Sequence, residues 1–404
     1  MSEFFDTEIG RIHKDWDYSE LENYFDLITY GFTNPMPDST EGPYKITAKD
    51  IHGGKIQFST ARKTTDDAYE NLITDKSRPL PNDILITKDG SIGRLAIVDN
   101  RKICISQSVA VIRPNSKIIP LYLKYLLESP KYQQIISRDA TGSVMKHIYI
   151  TKINKMKIGV PNLKVQESIV EAIDSIQSKI DLLHRQNQTL EQMAETIFRQ
   201  SFVDVAKDSW ASKILEDLCE IRNGHAFKSK DYRNSGHVIV RTKDFDNGYV
   251  SIANPVFLAE ELINNYDKFQ LSRKELLLVM VGASLGKTVI VTGDILPALQ
   301  NQNMWAFKAL NKLHQFYLNY VVKELVKENL YIASGSARSF FQKGSFYKFS
   351  VSLPPEELLI EANIHFEQFF NKIELNRSQI KSLEGLRDTL LPKLMSGEVR
   401  VSEL

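Results

Sequence analysis

Residues 282–288 read GASLGKT, the composition of a loop that cradles phosphates with backbone amides and a lysine. The spacing is wrong for that chemistry. Such a loop needs four residues between its glycines; here there are three, and Val281 stands where the first glycine belongs. A second turn, GSIGR from Gly90 to Arg94, lacks the Lys-Thr pair as well. Both predict a tight turn between two strands. Two further segments suit phosphate contact better. Thr141-Gly142-Ser143-Val144-Met145-Lys146-His147 and Ser334-Gly335-Ser336-Ala337-Arg338-Ser339 join small turn residues, hydroxyls and a cation. Hydroxyls, amides and cations are what grip a nucleic-acid backbone. Thr141, Gly142, Ser143, Lys146, His147, Ser334, Gly335, Ser336 and Arg338 are therefore the first candidates for phosphate contact. Lys88, Arg94 and Lys287, which flank the two turns, come second. Arg62, Lys63, Lys228 and Lys230 sit in loops and could serve base readout, where Arg and Lys meet guanine.

Catalytic patterns are missing. No Asp or Glu is followed two positions later by Lys, so half of a common nuclease metal site is absent. The one Pro-Pro pair, Pro354-Pro355, stands between Leu353 and Glu356, without the aromatic residue of an amino-methyltransferase motif. No Cys or His cluster has metal-ligand spacing, and no metal residues are assigned. Cys104 and Cys219 suggest no disulfide framework and read as buried thiols.

The elements that must position the candidates follow from an internal repeat, which fixes architecture first. Gly31 returns as Gly224, Gly93 as Gly286, Gly142-Ser143 as Gly335-Ser336 and Pro161 as Pro354, each 193 positions later. Residues 46–56 (ITAKDIHGGKI) read as strand, Gly-Gly turn, strand, and recur as residues 240–250. Residues 57–78 and 251–273 do not match. One scaffold thus carries two different sets of loops.

Each copy ends in a heptad helix. Ile169, Ile173, Ile176, Ile180, Leu183, Asn187, Leu190, Ala194 and Ile197 alternate spacings of four and three. Ala362, Phe366, Phe369, Ile373, Asn376, Ile380, Leu383, Arg387 and Leu390 repeat the seam. Ile173, Ile180, Asn187, Leu190, Phe366, Ile373, Asn376 and Leu383 are its main packing positions. Both helices begin after proline, where the missing amide proton costs least. About 37 residues at roughly 1.5 Å each make rods of roughly 55 Å. Two matched seams predict packing on each other, antiparallel, with Asn187 and Asn376 fixing register.

The fold class expected is α+β: two similar globular domains and two long antiparallel coiled-coil helices, related by an internal pseudo-two-fold repeat. A chain of 404 residues predicts at least two domains. The start, MSEFFDTEIGRIHKDW, has no signal-peptide core, and the longest apolar run, residues 276–281, cannot span a bilayer. A cytoplasmic location without membrane contact is expected. The net charge of +1 does not mark a strongly basic DNA binder.

Residues 386–401, LRDTLLPKLMSGEVRV, closely resemble the terminal signature of specificity subunits of type I restriction–modification systems. The strand pair ILITKDGSIGRLAIV, the Gly-Ser turns and IGVPNLKVQESIV look like the same family, over essentially the whole chain. Two departures touch docking detail: IFRQSFVDV replaces a Leu-Pro-Lys form at the end of the first helix, and the Pro-x-x-Glu-Gln helix start is altered. The resemblance implies target-recognition domains at 1–160 and 204–353, and spacer helices at 161–203 and 354–404. It implies a non-catalytic subunit that binds a split double-stranded DNA target. Two modification (methyltransferase) subunits and the restriction (motor/nuclease) subunits would join it. No cofactor is then expected in this chain; S-adenosylmethionine, ATP and Mg belong to the partners. A stand-alone DNA-modifying enzyme would need a cofactor motif. A coiled-coil scaffold binding only protein would leave the duplicated β-rich domains without a task.

Overall fold

A computed structural model describes residues 3–142, 146–206, 209–334 (331–334 as backbone) and 341–401. By packing, the chain forms two compact units, Met1–Ile180 with Ser382–Leu404, and Asp181–Lys381.

In the first unit lie strands β1 (Asp17–Glu20), β2 (Phe25–Tyr30), β3 (Ser39–Ile46), β4 (Ile84–Thr87), β5 (Leu95–Ile97), β6 (Ile103–Ile105), β7 (Val109–Pro114) and β8 (Lys157–Val160). Helices α1 (Pro120–Glu128) and α2 (Pro130–Asp139) follow β7, and the long helix α3 (Leu163–Phe198) follows β8. The second unit has β9 (Ala211–Ile214), β10 (Cys219–Asn223), β11 (His237–Val240), β12 (Leu276–Val279), β13 (Thr288–Ile290), β14 (Ala298–Gln300) and β15 (Met304–Ala309). Helix α4 (Gln315–Ser334), β16 (Ser350–Leu353) and the long helix α5 (Glu356–Leu394) complete it.

The two sets of strands are wired alike. One antiparallel sheet runs β5-β4-β7-β2, and its counterpart runs β13-β12-β15-β10 within a six-stranded sheet. A second sheet in each unit contains one parallel pair, β6 with β3 and β14 with β11. A short antiparallel ladder closes each, β8 with β1 and β16 with β9. The strands β4 (ILIT) and β12 (LLLV) are buried at every position. Unbroken apolar runs of four suit strands covered on both faces.

The repeated glycines mark close approaches. A Cβ at Gly31 would lie 1.7 Å from the Ile105 carbonyl oxygen, and one at Gly224 would lie 1.7 Å from that of Asn301. Gly93 and Gly286 turn with φ of +82° and +83°, in the left-handed region.

Residues 46–56 hold the expected strand, Gly53-Gly54 turn and strand, but each strand is only two residues long and the first begins at Ile51. The preceding strand, β3, stops at Ile46, and Asp50 caps a 3-10 turn by accepting the Thr47 N–H at 2.9 Å. The short hairpin, Ile51–His52 with Lys55–Ile56, follows. Asp244 does the same for Arg241 at 2.8 Å. The carboxylate diverts the backbone before the strand can continue.

The helices cross from one unit to the other. In both units they run antiparallel: Asn376 donates to Asn187 Oδ1 at 2.8 Å, and Arg387 donates to Gln177 Oε1 at 2.9 Å. Of the seam, Ile173, Ile180, Phe366, Ile373 and Asn376 are buried, and Asn187, Leu190 and Leu383 are half-buried. The helices pack on each other and also on the sheets. Ile169, Ile173, Leu391, Leu394 and Met395 join the core around Tyr122. Ala194, Phe198, Phe366, Phe370 and Ile373 join the core around Trp305. Phe370, outside the predicted seam, is more buried than Phe369 because it faces Phe316 on α4.

Asn376 is fully buried, and its carbonyl oxygen has no hydrogen-bond partner. Its amide donates to Asn187 Oδ1 at 2.8 Å and to Gln186 Oε1 at 3.4 Å. Asn187→Ala is therefore expected to destabilise the chain by about 1 kcal/mol, since a buried donor keeps only the longer bond. The double variant Asn187→Leu/Asn376→Leu should recover that loss, since apolar partners remove the unpaired groups together. Urea unfolding of the three chains measures both.

Candidate nucleic-acid interface

The turn from Lys88 to Arg94 is set by its own hydrogen bonds. Gly93 N–H donates to the Thr87 carbonyl at 2.8 Å, and Arg94 N–H donates to Thr87 Oγ1 at 3.0 Å. Gly90 also has a left-handed φ, +75°. Against this turn lies the second candidate segment. Thr141 and His147 exchange two backbone hydrogen bonds of 2.8 Å. Gly90 N–H donates to the Lys146 carbonyl at 2.8 Å, and Ile148 N–H donates to the Lys88 carbonyl at 2.9 Å. The first and second choices of the sequence thus share one surface.

Asp89 organises it. Its carboxylate accepts from Lys88 Nζ at 2.8 Å and is bonded to His147 Nδ1. Lys88 is buried, and its ammonium also lies 5.3 Å from the Tyr30 ring centre. Its charge is committed to Asp89 and Tyr30. Thr141, Gly142, Lys146 and Arg94 are exposed. Tyr30 and Tyr149 remain 40% and 57% exposed, and Tyr149 packs edge-on to His147 at 4.5 Å. Exposed rings among cations can stack on bases or sugars. Sequence reasoning missed Asp89, Tyr30 and Tyr149. An acid between a lysine and a Gly-x-x-Gly turn was the available signal for the first.

The second unit repeats the frame. Gly286 N–H donates to the Val279 carbonyl at 3.0 Å, and Phe341 N–H donates to the Met280 carbonyl at 3.0 Å. These match the bonds of Gly93 and Ile148. Lys287 is exposed where Arg94 stands in the first unit. The GASLGKT segment joins two antiparallel strands, β12 and β13, with no helix after it. It is a turn, as its spacing predicted. Val281 replaces Asp89, so the acid pairing is particular to the first unit. Ser143, Gly335, Ser336 and Arg338 lie outside the described residues, as does the side chain of Ser334.

The variable loops differ in chemistry. Arg62 and Lys63 line an open groove of about 420 Å³ with Asp38, Tyr44 and Phe58. Arg62 donates to Asp38 at 3.1 Å, Lys63 sits 5.0 Å from the Tyr44 ring centre, and Arg101 sits 3.9 Å from that of Phe58. In the second unit Lys228 and Lys230 are exposed beside a 3-10 turn, Ser229–Asp231. There His225 contacts Phe227, Tyr266 and Phe269, each at 5.0 Å. One loop set offers cations over aromatics, the other an aromatic cluster.

Among the described residues, no group of three or more His, Cys, Asp or Glu could hold a metal ion. No helix among them is long and apolar enough to cross a membrane. Burial pushes the Cys104 and Cys219 thiols up to about 12, which suppresses the reactive thiolate.

Two stretches, residues 33–192 and 207–385, match the type I restriction modification DNA specificity domain. The chain belongs to that family. It is 25% identical over 439 aligned positions to the type I restriction enzyme MjaIX specificity subunit of Methanocaldococcus jannaschii, covering 100% of this chain and 98% of the relative. It is 23% identical to the EcoKI specificity subunit of Escherichia coli, over 88% of this chain and 82% of the other. A crystal structure of a type I restriction–modification S subunit from M. genitalium shares the fold. Its TM-score is 0.57 at 18% identity, with 94% and 96% of the two chains covered. The matched stretches take in most of both globular copies and most of both long helices. The LLPKLM signature now has a physical role: Leu391, Leu394 and Met395 are core residues of the first unit.

Proposed function

We propose that this chain is the DNA sequence-specificity subunit of a type I restriction–modification complex. It binds a bipartite, asymmetric double-stranded target. Each recognition domain reads one half-site, and the paired helices set the gap between them. Two modification subunits dock on the helices, and restriction subunits complete the assembly. The chain itself is non-catalytic and works in the cytoplasm. S-adenosylmethionine, ATP and Mg are held by the partner subunits.

The observation that carries this reading is the duplicated frame. In the first unit the Ile148 N–H bonds the Lys88 carbonyl beside the Gly90–Gly93 turn, and in the second the Phe341 N–H makes the matching bond to Met280 beside the Gly282–Gly286 turn. Equal frames with unlike loops suit two half-sites of different sequence. Membership of the specificity-domain family supports the same assignment.

Mapping methylated adenines across a host genome, with and without this chain, tests it. A split motif methylated only when the chain is present is the expected result. Tight S-adenosylmethionine binding by the isolated chain would favour a stand-alone enzyme instead. A finer test addresses Lys146, whose exposed ammonium suits a phosphate. Lys146→Ala should weaken binding to all sequences alike and reduce the slope of log affinity against log salt by about 1. A changed base preference at unchanged slope would place Lys146 on a base instead.

A further inference from the structure

In the second unit the recognition domain is tied to α5 by charged groups. Arg273 Nη2 donates to Glu374 Oε2 at 2.7 Å, Nε donates to Oε2 at 3.0 Å and to Oε1 at 3.2 Å, and Nη2 also donates to Asn371. The Gly293 N–H donates to Glu374 Oε1 at 2.7 Å. Lys274 Nζ bonds Glu367. Arg377 donates to the Val250 carbonyl at 2.7 Å and lies 3.9 Å from Asp294. Residues 367, 371, 374 and 377 recur at helical spacing, so one face of α5 meets the domain at residues 273–274, 293–294 and Val250.

Lys274 holds φ at +76°, a conformation uncommon for any residue but Gly or Asn. Its backbone carbonyl accepts from Asn319 at 3.0 Å, which helps to hold it there. In the first unit the same place is taken by Asn82, with φ +72°. Both residues donate their N–H across the sheet end, Asn82 to Val98 and Lys274 to Val291. The residues standing for Arg273 and Lys274 are therefore Pro81 and Asn82, neither of them charged. Acids still occur at the matching helix positions, Asp174 for Glu367 and Asp181 for Glu374. A bidentate arginine and a lysine in a costly backbone conformation thus appear on one side of the duplication only.

We propose that Glu374, through Arg273 and the Gly293 amide, is a positioning residue: it fixes the angle of the second recognition domain on α5 and so sharpens discrimination of gap length. The inference rests on the bipartite reading above. Packing of Phe366, Phe370 and Ile373 holds the domain to the helix but tolerates small rotations, because apolar contact is non-directional. A bidentate guanidinium–carboxylate pair has a fixed plane and resists them. Arg273 is 35% exposed on its side chain, so salt weakens the clamp.

The test uses the full chain assembled with its modification subunits. Methylation rates are compared on the cognate target and on targets with the gap one base pair longer or shorter. The ratio of cognate to altered-gap rates is the readout; loss of stability alone would lower both rates together. Arg273→Glu and Glu374→Arg should each lower that ratio about tenfold, and the exchanged pair should restore most of it. Raising salt from about 0.05 to about 0.3 M should lower the wild-type ratio in the same direction. If either single variant fails to fold, Glu374→Gln keeps an oxygen for the Gly293 amide while removing the charge, and it should also lower the ratio. Folded variants whose ratio stays within about twofold of wild type, or a folded exchanged pair that restores nothing, would overturn the positioning role. A wild-type complex that methylates no split target would overturn the bipartite reading, and this inference with it.

Discussion

Deletion of residues 178–184 from α3 alone is expected to abolish binding of the split target. Deleting residues 379–385 from α5 as well should restore a folded chain with a shorter gap. Seven residues of helix are about 10 Å. Removing them on one strand of an antiparallel pair sets Gln177 against Arg387 while pulling Asn187 away from Asn376, or the reverse. Both contacts cannot persist together. The paired deletion keeps both, because one heptad leaves each helix at a, b, c phase with its partner. At about 3.4 Å per base pair the gap should shorten by about three pairs. Three pairs also rotate the duplex by roughly a third of a turn, so affinity should be lower than wild type even at the best gap. Binding to a panel of gap lengths measures this. An unchanged gap after the single deletion would mean that the helices do not act as a ruler.

The largest effect on stability is expected at the two tightest glycines. Alanine at Gly31 or Gly224 would place its Cβ 1.7 Å from a carbonyl oxygen on the neighbouring strand connection. No side-chain rotation relieves a clash with backbone, so a strand must move in a close-packed core. A loss of about 4 kcal/mol or more is expected for each, at the upper end for single substitutions. Thermal unfolding of Gly31→Ala and Gly224→Ala would measure it. A near-native midpoint in either would show that the close approach is not required. Alanine at Gly53 meets nothing within 4 Å, so its cost is limited to the left-handed φ of +61° and should be about 1 kcal/mol.

Much of the scaffold is legible from residue order. The 193-residue offset identifies the two copies, and the heptads identify the helices with their Asn pair. Apolar runs such as ILIT and LLLV mark the central strands. These are local patterns, and local patterns express what a strand or helix must bury. The break between Ile46 and the short hairpin at Ile51 has an equally local cause. A single carboxylate, Asp50, competes for the Thr47 amide and ends the strand.

The candidate site is only half legible. Lys146 and His147, together with Lys88 and Arg94, were identifiable as polar turn residues. Their meeting was not, because about 50 residues separate the two segments and a backbone bond from Gly90 to Lys146 joins them. Nor did the sequence indicate that Lys88 is a buried partner of Asp89. Charge alone does not say which cations face solvent.

The sequence by itself determined duplication, helix phase and the turns that glycine alone can make, since each depends on residues near one another in the chain. Tertiary structure decided which charges remain exposed, which acid governs the His147 loop and that Glu374 on α5 meets Arg273 of the second unit. Those outcomes depend on burial and on partners distant in sequence. An ion pair such as Arg273 with Glu374, separated by 101 positions, exists only after two elements have packed.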